Sequence, residues 1–288
     1  MSTNTSLSLP EMMAIRNIAT LIEISGGQPL DRIKMNLQLP KSQRISFKNL
    51  IKMGPKEFYS ASLTSIVQRC IFYIPSIYFL GDYYDNNLSS RYKNNITENK
   101  NDEILTYDNL VKPLFISTFV FPHVAIFESL KADQQIKNIR NVNLTRHMIN
   151  KYKMYGIRGV LPSTTATFLR ESLFSAGICV FIPVYYNKLN NYSNSYSNSY
   201  SNINSYNTIL AGIGAGITTQ VISQPFDTIK TRQEYDCRYN FYQTSKHIYN
   251  QQGLKGFFCG LIPRVGRGMW TLGCLSYVTT HLTNFLEK

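Results

Sequence analysis

The chain has 288 residues, of which 30 are Lys or Arg and 17 are Asp or Glu, for a formal net charge of +13. That length allows one or two ordinary domains, and the charge suits an anionic partner such as acidic lipid, nucleic acid or an anionic solute. Nucleic acid is disfavoured, because the basic residues are spread along the chain and no zinc-finger or RNA-binding signature occurs.

The opening stretch, MSTNTSLSLPEMM, has neither a basic start nor an apolar core, so it is not expected to act as a secretory signal. A first long helix is predicted from about Glu11 to Gln38, bent at Pro29, whose ring removes a backbone donor. Gly26 and Gly27 would let another helix approach closely. Residues 46–53 (SFKNLIKM) read as a short surface helix, and a second long helix follows from about Phe58 to Tyr84. Residues 86–104 are rich in Asn, Lys and Glu. A third helix is predicted from about Asn109 to Gln135, and a short basic helix from about Leu144 to Met154 suits a lipid surface.

The fourth long helix is predicted from about Pro162 to Leu189, without formal charge from Ser172 to Asn187. Residues 190–207 form an Asn/Ser/Tyr tract, which is not expected to bury enough apolar surface to offset its ordering entropy. A fifth helix, from about Thr208 to Glu234, opens on the small-residue face Gly212-Ile213-Gly214-Ala215-Gly216. The sixth runs from about Gly260 to Leu286 and has no formal charge after Arg267, a stretch long enough to span a bilayer. The mildly negative mean hydropathy is accounted for by the polar inserts and by helices that face a wet interior on one side. The five cysteines, Cys70, Cys179, Cys237, Cys259 and Cys274, lie far apart and form no CxxC; they read as small apolar helix residues rather than metal ligands or disulfides.

One motif organises these elements. Pro225-Phe226-Asp227-Thr228-Ile229-Lys230 ends the fifth helix with an acid and a base on one helical face. The same spacing occurs in Pro29-Leu30-Asp31-Arg32-Ile33-Lys34 and, without the proline, in Ile126-Phe127-Glu128-Ser129-Leu130-Lys131, at offsets of 97 and 99 residues. A glycine-led element follows each copy: Gly54 to Gln68-Arg69, Gly156 to Arg170-Glu171, and Gly253 to Arg267-Gly268. Recurrence at a fixed period marks an internal repeat.

With these paired motifs the chain resembles the mitochondrial carrier family over nearly its whole length. The resemblance implies an all-α membrane protein with six transmembrane helices, in three pseudo-symmetric repeats of about 100 residues with short matrix-side amphipathic helices. The repeats would be 1–88, 106–189 and 208–288, separated by a polar insert at 89–105 and the low-complexity insert at 190–207. It further implies a monomeric, multi-pass protein of the mitochondrial inner membrane, with termini toward the intermembrane space. Such a protein would be a transporter and not an enzyme, with a small-molecule substrate, a lipid membrane around it, cardiolipin as bound lipid, and no cofactor, metal or nucleic acid.

Two sets of site residues follow. Asp31, Lys34, Glu128, Lys131, Asp227 and Lys230 would form a matrix gate, each acid meeting the base of the next repeat, with Pro29 and Pro225 as helix kinks. Exposed pairs of this kind contribute about 0–1 kcal/mol each, which suits a gate that breaks in every cycle. Arg170, Glu171 and Arg267, with Gln68 or Arg69 on the second helix, occupy the family's substrate-contact positions; ionisable groups at mid-depth in a membrane usually face an aqueous cavity. Arg170 beside Glu171 suits a zwitterion: the guanidinium forks onto a carboxylate and the glutamate takes an ammonium. Internal pairing of Arg170 or Arg267 with Glu171 is the alternative. Arg264 is a further contact candidate, or else a brace between helices.

The sequence departs from the family pattern at Ile126, Asn36 and Asp133. It also lacks an aromatic-acid-base network at the far ends of the even helices, and Lys112 and Lys188 read as lone surface charges. The expected function is alternating-access transport of an amino acid or a related zwitterionic or anionic metabolite. The rivals are another anion (nucleotide, keto acid, glutathione-like peptide), an adaptor that keeps the fold without transport, or a soluble RNA-binding repeat protein.

Overall fold

The computed structural model describes residues 8–89, 107–136, 144–194 and 200–286. The polar insert expected at 89–105 lies outside them except for Ser89, as do residues 195–199 of the Asn/Ser/Tyr tract. Every regular element among the described residues is helical. The long helices are α1 (Leu9–Gln38), α3 (62–84), α4 (Tyr107–Ile136), α6 (164–194), α7 (Tyr200–Tyr235) and α9 (Leu261–Leu286); the short ones are α2 (Phe47–Lys52), α5 (Leu144–Tyr155) and α8 (Phe241–Gln252). Helix α3 includes a π-helical stretch, Val67–Tyr73, and α6 another, Gly177–Phe181. The long helices neighbour one another in a closed ring, in the order α1, α3, α4, α6, α7, α9 and back to α1.

Local chemistry explains the segmentation. At the start of α1 the Ser8 backbone N–H donates to Glu11 Oε2 at 2.7 Å, satisfying one of the free donors of a helix start. Pro29 lies inside α1, and lacking an N–H it leaves the Ser25 carbonyl without its helical donor. The Tyr59 hydroxyl, just before α3, donates to that carbonyl at 2.9 Å. Each of α2, α5 and α8 is followed by a glycine at positive φ, Gly54 (80°), Gly156 (61°) and Gly253 (62°), so the same left-handed turn occurs three times. Arg32 on α1 donates to Glu57 at 2.6 Å, pinning the turn before α3, and both side chains are buried.

The ring closes where small residues let backbones meet. A Cβ on Gly26 would lie 2.5 Å from the Trp270 ring of α9, and one on Gly216 would lie 2.8 Å from the Gly268 carbonyl. Helices α6 and α7 run further into the Asn/Ser/Tyr tract than its composition suggests. Extending an existing helix costs little, because each added residue brings its own hydrogen bond. Asn207 also donates to Asn190 across the two helices at 2.7 Å.

The burial pattern is inverted relative to a soluble protein. Buried side chains include Glu23, Gln28, Asp31, Lys34, Asp227 and Arg264, whereas Ile18, Leu21, Ile71, Phe79, Phe119, Ile222 and Ile262 are exposed. Among the described residues two helical segments, Pro55–Asn87 and Leu114–Ile136, are long and apolar enough to cross a membrane by themselves, against the six expected. The other four long helices carry charge inward: Glu23 on α1, Arg170 and Glu171 on α6, Asp227 and Lys230 on α7, Arg264 and Arg267 on α9.

Candidate functional site: a cavity above a ring of ion pairs

The three acid–base motifs lie at the C-terminal parts of α1, α4 and α7. Their side chains meet as three pairs between motifs: Lys34 with Asp227 at 3.0 Å, Lys131 with Asp31, and Lys230 with Glu128. Each base therefore joins the acid of another motif, and the three pairs lie together at one end of the ring of helices.

These pairs are not the exposed, weakly held contacts expected from helix-end charges. Side-chain exposure is 1% for Asp31 and Asp227, 5–10% for the three lysines and 17% for Glu128. The crowding of three helix ends leaves little room for water there, so removing the principal counter-charge of a buried group costs about 3–5 kcal/mol.

Above the ring, a cavity of about 370 Å³ is lined by Gln68, Arg69, Glu128, Arg170, Glu171, Asp227, Arg264 and Arg267, among others. All six sequence-derived contact candidates thus reach one space, but they are engaged with one another or with unanticipated partners. Arg170 pairs with Glu171, with Glu128 at 3.0 Å and with Asp227 at 3.5 Å. Arg267 pairs with Asp31, with Glu23 3.7 Å away. Arg69 pairs with Glu23, while Gln68 is buried beside it. Each ring acid is therefore shared between a lysine of another motif and an arginine from the cavity.

Of the two roles open for Arg264, the geometry is that of a brace. Its guanidinium donates to Gln220 Oε1 (2.5 Å), the Ser223 carbonyl (3.1 Å), Gln224 Oε1 (3.2 Å) and Ser223 Oγ (2.7 Å), all on α7. Asp227 is 3.4 Å away. Five donors in a planar fork are largely consumed by this one neighbour.

Several residues around the cavity and the ring escaped the sequence reading. Glu23, fully buried on α1, accepts from Arg69 and from Thr271 Oγ1 (2.7 Å), and its own carbonyl takes the Trp270 indole N–H (2.9 Å). Its signal was a single acid inside the apolar run Thr20-Leu21-Ile22-Glu23-Ile24. Gln38, Gln135 and Glu234 each lie nine residues after the proline position of their motif. Gln38 donates to Asp227 at 2.8 Å and accepts from Thr231 at 2.7 Å, tying the Lys34–Asp227 pair from beneath.

The divergent positions have found other work. Asn36 bonds both ways to the backbone of Ile45, at 2.7 and 2.9 Å. Asp133 accepts from Lys151 (2.7 Å) and lies 3.0 Å from His147 Nε2, clamping α5. Arg232 donates to the carbonyls of Gln38 and Leu39, satisfying the C-terminus of α1. At the opposite end, Lys112 on α4 is not a lone charge, since it pairs at 2.6 Å with Asp85, the residue that follows α3. No ion pair crosses the cavity at that end among the described residues.

Residues 201–288 match the family model described as mitochondrial carrier protein. The mitochondrial glycine transporters of Xenopus laevis and Homo sapiens are each 35% identical to this chain, over 119 and 118 residues, or 40% of it. The chain spans 37% of the length of these two relatives. A Dictyostelium discoideum protein, mitochondrial substrate carrier family protein Z, is 24% identical over 259 residues, covering 87% of this chain and 83% of the relative.

Proposed function

The chain is a divergent member of the mitochondrial carrier family, and from that premise we propose that it transports a small amino acid or related zwitterion across a mitochondrial membrane. The inverted burial pattern supports a lipid setting: apolar side chains face outward on helices whose backbone hydrogen bonds are internal. Six helices would cross the membrane, with the ion-pair ring at the matrix end and the cavity opening toward the intermembrane space. The partial relationship to glycine transporters favours an amino acid.

The observation that carries the reading is the double duty of the ring acids. Asp31 holds both Lys131 and Arg267, and Glu128 holds both Lys230 and Arg170. A solute carboxylate that engages Arg267 or Arg170 competes directly with the acids that close the ring. Its ammonium group can replace Arg170 on Glu171. Binding energy gained at the cavity level thereby offsets the loosening of the pairs below, and the repeats can rock about the site. The solute needs no covalent chemistry, only differential affinity for the two states.

Purified protein in liposomes tests this. Uptake of labelled amino acids should be saturable and abolished by Arg170→Glu, with the variant still folded. Absence of uptake for amino acids, nucleotides and keto acids alike, in protein that is folded and inserted, would instead favour a carrier-fold adaptor without transport.

A further inference from the structure

Each cation at the inner level of the cavity has an acidic partner. Arg69 is met by Glu23, Arg170 by Glu171 and Glu128, Arg267 by Asp31, and Lys34 and Arg264 by Asp227. A zwitterion entering there exchanges one set of pairs for another and needs no further counter-charge. Arg16 is different. It lines the same cavity from α1, is half-buried, and has no acidic partner among the described residues. On the neighbouring helix α3, Tyr73 also lines the cavity, and its hydroxyl makes no hydrogen bond among the described residues. That hydroxyl lies within electrostatic reach of Arg16, Arg69, Arg170 and Glu171.

The two groups sit farther out than the inner charges. Arg16 precedes Glu23 by seven residues, about 10 Å along a helix at 1.5 Å per residue, and Tyr73 lies close to one turn beyond Arg69 in the π-helical stretch of α3. A guanidinium fork and a phenolic O–H are both donors, and together they suit an anionic oxygen group. A half-buried cation without a counter-charge is costly, so this wall lacks one negative charge.

Resting on the amino-acid reading above, we propose that Arg16 and Tyr73 form an outer anion subsite, and that the transported solute is an amino acid whose side chain ends in an anionic group. The zwitterionic head engages Arg170, Glu171 and Arg267, and the side-chain anion reaches Arg16. Glycine is too short to touch both levels, and a neutral amide side chain leaves Arg16 uncompensated.

The test uses the full chain in liposomes with labelled glutamate, glutamine and glycine as probes. A site built around a charged hydrogen bond should favour glutamate over glutamine by about tenfold or more. Arg16→Gln should remove that preference while glutamine and glycine uptake stay within about twofold, since their contacts lie at the inner level. Tyr73→Phe, which deletes a single oxygen, should lower glutamate uptake by about threefold to tenfold, the loss of one hydrogen bond, without altering glutamine. An equal loss of all three probes in either variant overturns the subsite, as does a glutamate preference that survives both. Arg170-dependent uptake of glycine in preference to glutamate also overturns it, yet leaves the transport reading standing. No uptake of any of the three overturns the amino-acid reading itself.

Discussion

Asp227 is the hub of the ion-pair ring, and its neutralisation should cost far more than loss of the lysine it faces. With 1% of its side chain exposed, it takes Lys34 at 3.0 Å, Gln38 at 2.8 Å, Arg264 at 3.4 Å and Arg170 at 3.5 Å. Lys34→Gln removes one of these four and leaves the carboxylate well supplied, so the expected loss is about 1–2 kcal/mol. Asp227→Asn strands Lys34 and weakens the hold on Arg264, both buried cations, for about 3–5 kcal/mol. At roughly 2–4 °C per kcal/mol for chains near this size, Tm should fall by about 4 °C in the first variant and about 12 °C in the second. The assay is thermal unfolding in detergent, followed by the fluorescence of Trp270, the chain's one tryptophan. A Lys34→Gln shift equal to or larger than that of Asp227→Asn would refute the hub, and shifts below about 1 °C in both would refute a closed ring altogether.

Much of the fold was written in periodic features. Helix bounds came from apolar runs ended by charge, so α1 was placed to within two residues at its start and to the residue at its end. The acid–base spacing occurs three times, and the acids and bases that it singles out pair with one another. Periodicity names a face, however, and not the group across from it. Arg170 reaches ring acids of two other helices, a contact set by the crossing of α4, α6 and α7. Glu23 was overlooked because a single acid in an apolar run has no sequence partner; Arg69 and Arg267, its counter-charges, come from 46 and 244 residues away. The burial of the ring pairs was likewise invisible. It depends on how closely three helix ends crowd, and Gly26 and Gly216 set part of that closeness only once Trp270 and the Gly268 backbone are known to lie against them.

Two predictions follow from that packing and from the proline bend. Gly26→Ala should lower Tm by several degrees, because its Cβ would sit 2.5 Å from the Trp270 ring and overpacking typically costs about 1–3 kcal/mol; an unchanged Tm would mean that α1 and α9 do not meet there. The last concerns Tyr59, whose hydroxyl serves the Ser25 carbonyl orphaned by Pro29. Tyr59→Phe alone should cost about 1 kcal/mol. In a Pro29→Ala background the restored N–H can bond Ser25 in the ordinary helical manner, so the same Tyr59→Phe change should cost less than about half as much, a coupling that a double-mutant cycle in denaturation midpoints resolves. Strict additivity would show that the hydroxyl does not substitute for the missing backbone donor, and that the bend in α1 is held by packing alone.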